Sequence, residues 1–305
     1  ALAGHWGLGK LIAFYDANDA QISGKVSRSD TTDYLKFYES NNWHVQKING
    51  HDRDAIRDAI RLAQMEIDRP SIIIGETIMA NGSATMEGDY NTHGMPLPED
   101  EIKSTKIKLG LNSDKLFYLP EEVISEFRQS YDYARKEVLA WKTLLDKKQT
   151  ENQFKTRWDA MIKQSIPDID WPKYEPGSNL ATRKVWGNVI EKLAVKMPAL
   201  VGGSADLEPS NNTGGFAKIV GDFGRENLAG RNFAYGVREF PMGTINNGIS
   251  QHGGLLPFGA TFFTFSDYER PAIRLRAIQG LPVITEYTHD SIFVGEDGPT
   301  HQPVE

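Results

Sequence analysis

Two doubly wound, mostly parallel α/β domains, both incomplete and joined by a helical linker, are the architecture that the sequence predicts. Three observations carry that prediction. Short apolar runs alternate with helical patterns in a βαβα rhythm over residues 10–77. A long, charged, helical stretch without strand signal occupies 120–166, punctuated by Pro167, Pro172 and Pro176. From Ala181 the βα rhythm returns.

The first run, Lys10 to Tyr15 (KLIAFY), reads as a buried parallel strand with the polar Asp16-Ala17-Asn18-Asp19 at its carboxyl end. A helix is expected from Asp33 to Asn41, a strand over Trp43 to Ile48, a helix over Asp54 to Asp68, and a third strand over Ile72 to Thr77. A Gly-rich loop spans Asn81 to Pro98, and residues 116–178 form the helical connection. Beyond it the pattern predicts a helix over Thr182 to Lys196 and a strand over Ala199 to Gly203. A short strand at Asn232 to Tyr235 and a helix over Glu239 to His252 come next, then strands at Ala260 to Phe265 and Pro282 to Tyr287. The domains are therefore drawn as 1–115 and 179–305.

Composition excludes several classes of function. The chain has 305 residues, enough for two domains with ordinary cores, and is 39% apolar and 25% charged, as globular proteins are. A net charge of −7 argues against a dominant role in nucleic-acid binding, which needs a basic face. With no cysteine, disulfides, thiolate metal sites and a Cys nucleophile are excluded. No apolar run is long enough to span a bilayer, and the first residues lack the basic start and cleavage site of a signal peptide. The chain opens on Ala1-Leu2-Ala3-Gly4, like the end of a helix, and stops right after its most polar segment. An internal fragment of a longer chain is the expectation.

Polar segments placed just after strands mark candidate ligand sites, because open α/β sheets bind ligands at the carboxyl ends of their strands. In the first segment, Asn18 and the Ala20 carbonyl are hard oxygen donors of the kind Mg²⁺ takes, though the same residues make an ordinary turn. In the second, Gly202-Gly203-Ser204-Ala205-Asp206 with Ser210-Asn211-Asn212, Asp206 sits at a strand end and Ser210 offers a donor to a phosphate; turn chemistry is the alternative. The third gathers His289, Asp290, Glu296, Asp297 and His301 with Gly295 and Gly298, a density that turns alone do not require. A zinc site competes there, but the spacing matches no standard zinc pattern. Glu239 opens an apolar, Gly-rich helix, where it either complements the helix dipole or, buried by Val237, Phe240 and Met242, holds a proton. Phe262, Phe265 and Tyr268 recur every third residue, as core packing or as an apolar pocket for a ring. His5, His44, His51 and His252 read as structural or surface residues.

Taken together, these stretches resemble the transketolase family. The strongest part is THDSIFVGEDGPTHQPVE, Thr288 to Glu305, similar to that family's THDS-x-x-x-GEDGPTHQP signature; ATRK at 181–184, GGSADLEPSN and YGVREF add three matches in the family's order. The resemblance runs over nearly the entire chain. It implies a cytoplasmic enzyme of the pentose phosphate pathway that binds thiamine diphosphate and Mg²⁺ or Ca²⁺ at a homodimer interface. That enzyme passes a two-carbon ketol unit reversibly from a ketose phosphate to an aldose phosphate through the cofactor's ylid. On this reading residues 1–115 belong to the diphosphate-binding domain and 179–305 to the pyrimidine-binding domain.

The resemblance implies metal ligation by Asn18 and the Ala20 carbonyl. Glu239 would hydrogen-bond the pyrimidine nitrogen, with Phe262, Phe265 and Tyr268 as the pyrimidine pocket and Asp206 near the thiazolium ring. His93 and His301 would serve proton transfer and hydroxyl recognition. Asp297 would read a sugar hydroxyl, and Arg183, Ser210 and His289 would bind phosphate. The chain departs from the family pattern where Asp16-Ala17-Asn18-Asp19 replaces Asp-Asp-Asn-Gly, where Phe293-Val294 replaces Gly-Leu, and at Pro98. Phe293 is expected to narrow the substrate channel. A dihydroxyacetone synthase-type ketol transfer and a non-catalytic, transketolase-like binding protein are the rival readings.

Overall fold

The computed structural model describes residues 1–163, 166–293 and 295–304. The chain divides into two compact units, Ala1–Lys136 and Glu137–Glu305.

The first unit holds helix α1 (Leu2–Trp6), strand β1 (Ile12–Ala17) and a hairpin of β2 (Ala20–Gln21) and β3 (Gly24–Lys25). Then come α2 (Tyr34–Ser40), β4 (His44–Asn49), α3 (Arg53–Met65), β5 (Ser71–Glu76) and α4 (Glu99–Lys108). Strands β1, β5 and β4 form a parallel sheet in that order, in register from Ser71 opposite Ile12 and His44 to Glu76 opposite Ala17 and Asn49. The apolar run Ile72-Ile73-Ile74 makes β5 the central strand: Ser71 to Gly75 are buried and only Glu76 is exposed, at the carboxyl end. Helix α3 starts where the Asp52 side chain accepts from the Asp54 and Ala55 amides at 2.9 and 3.1 Å. Its Ala59 and Ala63, one turn apart, pack on Ile73 with Ile48 beside them.

The boundary between the units falls inside α5 (Glu121–Gln149), which is followed by α6 (Asn152–Lys163). No helix among the described residues is long and apolar enough to cross a bilayer.

The second unit continues through α7 (Thr182–Lys196), β6 (Leu200–Ser204), α8 (Glu208–Asn211) and α9 (Gly214–Val220). It ends with α10 (Glu239–His252), β7 (Leu256–Phe262), α11 (Ser266–Gln279) and β8 (Ile284–Thr288). Its parallel sheet runs β6-β7-β8, with Ser204 opposite Ala260 and Phe262 opposite Thr288. Successive side chains of β7 face opposite layers. Phe258 packs among Ile190, Ala194, Leu200 and Phe216, meeting the Phe216 ring edge-on at 5.0 Å. Gly259 faces α10: a Cβ there would lie 2.9 Å from Asn246 Nδ2 and 3.1 Å from Met242 Sδ, so glycine lets the helix close on the strand. Gly243 plays the same part between α10 and α11, where a Cβ would stand 2.7 Å from Ala272 Cβ and Glu269 Cγ.

Three expected strands need correction. The first, expected buried over Lys10 to Tyr15, runs Ile12–Ala17 at the edge of its sheet and alternates exposed and half-buried residues, with Phe14 exposed. Asn232 to Tyr235 is no strand. Asn232 makes isolated bridges to Gly202 and Asp222, and its side-chain amide is tied to Glu208 and Asp222 at 3.0 and 2.7 Å. The chain then turns at Gly236 (φ 65°), while the Tyr235 hydroxyl donates to Asn246 Oδ1 at 2.6 Å. The strand expected at Ala260 to Phe265 ends at Phe262; Phe263–Phe265 is a 3₁₀ turn that feeds α11, whose first turn carries Asp267 and Glu269. Helix α11 and the β2–β3 hairpin had no counterpart in the sequence pattern.

Gly202 lets β6 close on β7 at the edge of the core. Its φ is 146°, and a Cβ would lie 2.0 Å from the Phe258 carbonyl oxygen on the paired strand. Gly202→Ala is expected to destabilise the full-length protein by about 1–3 kcal/mol through overpacking, read as a lowered urea midpoint. An unchanged midpoint would show that β6 can move away from β7.

Candidate active site

In the first unit the metal-binding candidates lie where β1 runs into the hairpin. Asn18 Oδ1 accepts the Ala20 amide at 3.0 Å, and Asn18 Nδ2 donates to Asp16 at 3.1 Å; the Thr77 hydroxyl also donates to Asp16. Asp19 adopts a left-handed conformation, φ 52°, which turns the chain between Asn18 and Ala20. An oxygen-only set of this kind fits a hard cation. Among the described residues no cluster of three or more His, Asp or Glu side chains could hold a metal alone, so further oxygens would have to come from a bound ligand.

The same hairpin borders His93. Gln21, Ser23, Arg28, Ser29 and His93 line an open recess of about 570 Å³. His93 follows a 3₁₀ turn, Tyr90–Thr92, capped by the Asp89 side chain, and its Nδ1 is buried without a partner among the described residues. The Gly-rich loop that carries it is held by α4. The Glu101 carboxylate accepts the Thr85 amide and hydroxyl, both at 2.7 Å, and the Met86 amide at 3.3 Å. The Thr85 bonds are the main reason this carboxyl lies below the ordinary value.

The second unit brings most of the remaining candidates together. A recess of about 440 Å³ is lined by Asp206, Val237, Glu239, Phe265, Tyr268 and His301. Asp206 stands two residues past β6 in a left-handed conformation, φ 64°. Glu239 is the first residue of α10 and only 8% exposed, and among the described residues no hydrogen bond reaches its carboxylate. Phe265 faces the recess and stacks on Phe262, rings 5.8 Å apart and 4° from parallel; the His301 ring meets Phe265 edge-on at 5.3 Å. Phe262, 3% exposed, is thus a layer behind the wall, with the His289 ring 3.8 Å from its own. The bend at Gly298 (φ 71°) and the Gln302 side chain, which accepts the Gly295 amide at 2.9 Å, set the loop that presents Asp297 and His301.

Two of the phosphate candidates meet in this unit. Arg183 Nη1 lies 2.9 Å from His289 Nε2, and Asp297 Oδ2 is 3.8 Å from the same nitrogen. His289 itself is left-handed, φ 56°, immediately after β8. Burial first, then the Arg183 guanidinium, hold its pKa below the ordinary imidazole value. Ser210 is half-buried in α8, one residue before Asn211. Phe293 is 82% exposed; its neighbour Val294 lies outside the described residues.

Several participants were not singled out from sequence. Asn211, fully buried, donates to Thr288 Oγ1 at 2.9 Å, and Thr288 Oγ1 stands 2.9 Å from His289 Nδ1. Glu269, 1% exposed on α11, accepts the Tyr287 hydroxyl at 2.8 Å with Arg276 at 3.7 Å. Burial pushes the Glu269 carboxyl up; Tyr287 and Arg276 pull it back, and Glu239 adds to the rise. Glu286, in β8, has both carboxylate oxygens buried without a hydrogen-bond partner among the described residues, as is Trp186 Nε1. Burial pushes its pKa up to about 8, against smaller opposing pulls from Trp186 and Arg183. An acid whose pKa rises on folding favours the native state below its unfolded value and loses that contribution as pH rises through the folded value. Between about pH 4.5 and 8 the full-length protein should therefore lose stability that Glu286→Gln retains, measured by urea unfolding across that range. Parallel curves for the two proteins would mean that Glu286 ionises normally.

Comparison with known proteins places these features. The family model described as "Transketolase, thiamine diphosphate binding domain" matches residues 1–167, and "Transketolase, pyrimidine binding domain" matches 178–305. The chain is 42% identical over 312 residues to a transketolase of Bacillus subtilis and 41% identical over 310 to one of Halalkalibacterium halodurans, each along 100% of this chain and 46% of the relative. It thus spans about half the length of the curated relatives it matches. Among solved structures, transketolase from Leishmania mexicana superposes with a TM-score of 0.94 at 38% identity, over 99% of this chain and 46% of that one. A Pichia stipitis transketolase in complex with sedoheptulose 7-phosphate gives 0.92 at 36%, with the same coverage. With both domain families matched in order along its length, the chain belongs to the transketolase family.

Proposed function

We propose that the full-length protein is a transketolase, transferring a two-carbon ketol unit reversibly between a ketose phosphate and an aldose phosphate. The observation that carries this reading is the recess of the second unit. A buried carboxylate without a hydrogen-bond partner, Glu239, opens on it at the start of α10, and the aromatic rings of Phe265 and Tyr268 wall it. A flat, apolar, nitrogen-bearing ring suits such a wall, and a single carboxyl there suits a hydrogen bond to one ring nitrogen.

Thiamine diphosphate would supply the carbanion chemistry, as cofactors do when the protein contributes binding and orientation. In the proposed assignment Glu239 holds the proton shared with the pyrimidine nitrogen, Phe262 stiffens Phe265 from behind, and Asp206 lies toward the thiazolium side. Asn18 and the Ala20 carbonyl would hold Mg²⁺ or Ca²⁺, which would supply positive charge to offset that of the diphosphate. His301 and His93 exchange protons with, or hydrogen-bond, substrate hydroxyls; the unpartnered Nδ1 of His93 supports such a role. Asp297 reads a hydroxyl, while Arg183, Ser210 and His289 receive the phosphate of the sugar. That one solved relative is described in complex with sedoheptulose 7-phosphate supports a sugar phosphate as the ligand class. Residues 1–115 and 179–305 are proposed as the diphosphate-binding and pyrimidine-binding segments, with 116–178 linking them. Assembly as a homodimer with shared sites, a cytoplasmic setting and a place in the pentose phosphate pathway belong to the same proposal.

Calorimetric titration of the full-length protein with thiamine diphosphate and Mg²⁺, beside Glu239→Ala, tests this reading. Tight binding by the parent is expected, with ketol transfer from xylulose 5-phosphate reduced roughly 10²–10⁴-fold in the variant. A parent that binds no cofactor would leave a non-catalytic homologue as the answer. Faster transfer to formaldehyde than to aldose phosphates would instead favour the dihydroxyacetone synthase-type reaction.

A further inference from the structure

The hydrogen bonds around His289 determine where its proton sits. Arginine only donates, so the contact from Arg183 Nη1 at 2.9 Å requires a lone pair on Nε2. A neutral imidazole carries its proton on the other nitrogen, so Nδ1 donates to Thr288 Oγ1 at 2.9 Å. The rest of the chain agrees with this assignment. Asn211 Nδ2 donates to Thr288 Oγ1 at 2.9 Å and to the Thr261 carbonyl, which can only accept, at 3.2 Å. Its Oδ1 accepts the Ser204 hydroxyl at 2.9 Å, and Ser204 Oγ in turn accepts the Leu207 amide at 3.0 Å. With donor-only groups at both ends and an acceptor-only carbonyl in the middle, one proton arrangement satisfies every contact.

That arrangement conflicts with anion binding. A phosphate oxygen needs a donor, and Nε2 of this tautomer has none to give. Resting on the assignment of Arg183 and His289 to a sugar phosphate, we propose that binding the phosphate group is coupled to uptake of one proton from solvent at His289 Nε2. Arg183 then donates to the phosphate instead of to the ring. The imidazolium donates from Nε2 to the same anion and keeps its Nδ1–H bond to Thr288, and Asn211, through Thr288, is the residue that keeps the ring oriented through the change. Each group facing the ring acts in a definite direction. Before binding, Arg183 and His301 disfavour a charged imidazole, while Asp297 and the exposed Asp290 favour it, and burial against Phe262 tips the balance to the neutral form. A dianion at Nε2 would reverse that balance.

The probe is ribitol 5-phosphate, which lacks a carbonyl and cannot turn over. It is titrated calorimetrically into the full-length protein at pH 7.5, where a phosphate monoester (second pKa about 6) is largely dianionic. Buffers of different ionisation enthalpy report the protons exchanged. Uptake of about one proton per site is expected, with Kd rising up to about tenfold per pH unit above neutrality. In His289→Gln the uptake should vanish and Kd should become flat with pH. Binding by the parent without uptake, or uptake that survives in His289→Gln, overturns the proton coupling and leaves the phosphate assignment standing. The assignment itself fails if Arg183→Ala binds ribitol 5-phosphate as tightly as the parent, whatever the proton count.

Discussion

A parallel strand covered on both faces has no place along its length for a charged side chain, so polar chemistry is pushed to its carboxyl end. Strand β6 is buried throughout, β7 is buried from Pro257 to Phe262, and β5 from Ser71 to Gly75. Polar residues gather at the carboxyl ends: Glu76 and Thr77 beyond the β5 core, Asp206 beyond β6, His289 and Asp290 beyond β8. The close approach of helices to these strands is what makes the covering complete. It depends on glycine at Gly259 and Gly243, where any side chain would collide with α10 or α11.

Three acids of the second unit are withdrawn from water near this sheet, each in a different setting. Glu269 lies within the α10–α11 layer, yet the Tyr287 hydroxyl and Arg276 compensate its carboxylate. Glu286 lies within β8, where burial outweighs the weaker pulls of Trp186 and Arg183 and favours the neutral form. Glu239 is buried at a helix N-terminus, where the dipole favours negative charge, and it opens on a recess. Only the last combines an unpartnered carboxylate with access from outside, which is the combination a ligand-binding acid needs.

Much of the architecture was legible in the sequence because the relevant signals are local. The apolar run at 72–74 and the helical patterns near 33–41 and 54–68 come from neighbouring residues. So does the helix at Glu239 to His252, and each fell where the pattern put it. The run TFFTFSDY misled because apolar continuity says nothing about where a strand stops. Ser266 and Asp267 begin a helix there, and the three-residue spacing of Phe262, Phe265 and Tyr268 spans a strand end, a 3₁₀ turn and a helix start. That spacing puts Phe262 behind the recess rather than in its lining. Asn232 was misread because its pairing with Gly202 is one residue long, and its side-chain amide is tied to Glu208 and Asp222 instead of belonging to a continuing strand. The roles of Asn211, Thr288 and Glu269 depend on contacts 18 to 77 residues apart, which no local pattern encodes.

The distribution of satisfied and unsatisfied polar groups separates what holds still from what responds. Asn211 uses both amide hydrogens and its oxygen, with anchors on β6, β7 and β8, so its position is over-determined. His93 Nδ1 has no such partner among the described residues, and in a folded protein a buried polar atom left open is costly unless something fills it; the Glu239 carboxylate instead faces its recess. The Arg183–His289 contact is intermediate. It is satisfied, but by a cation donating to a neutral ring, an arrangement weaker than either group would make with an anion. A contact of that kind holds the two side chains ready without binding them tightly, so an entering anion competes only with a weak bond. Asp297 Oδ2 stands 3.8 Å from the same nitrogen and the Phe262 ring lies against both His289 and His301, so the contact sits directly behind the wall of the second unit's recess.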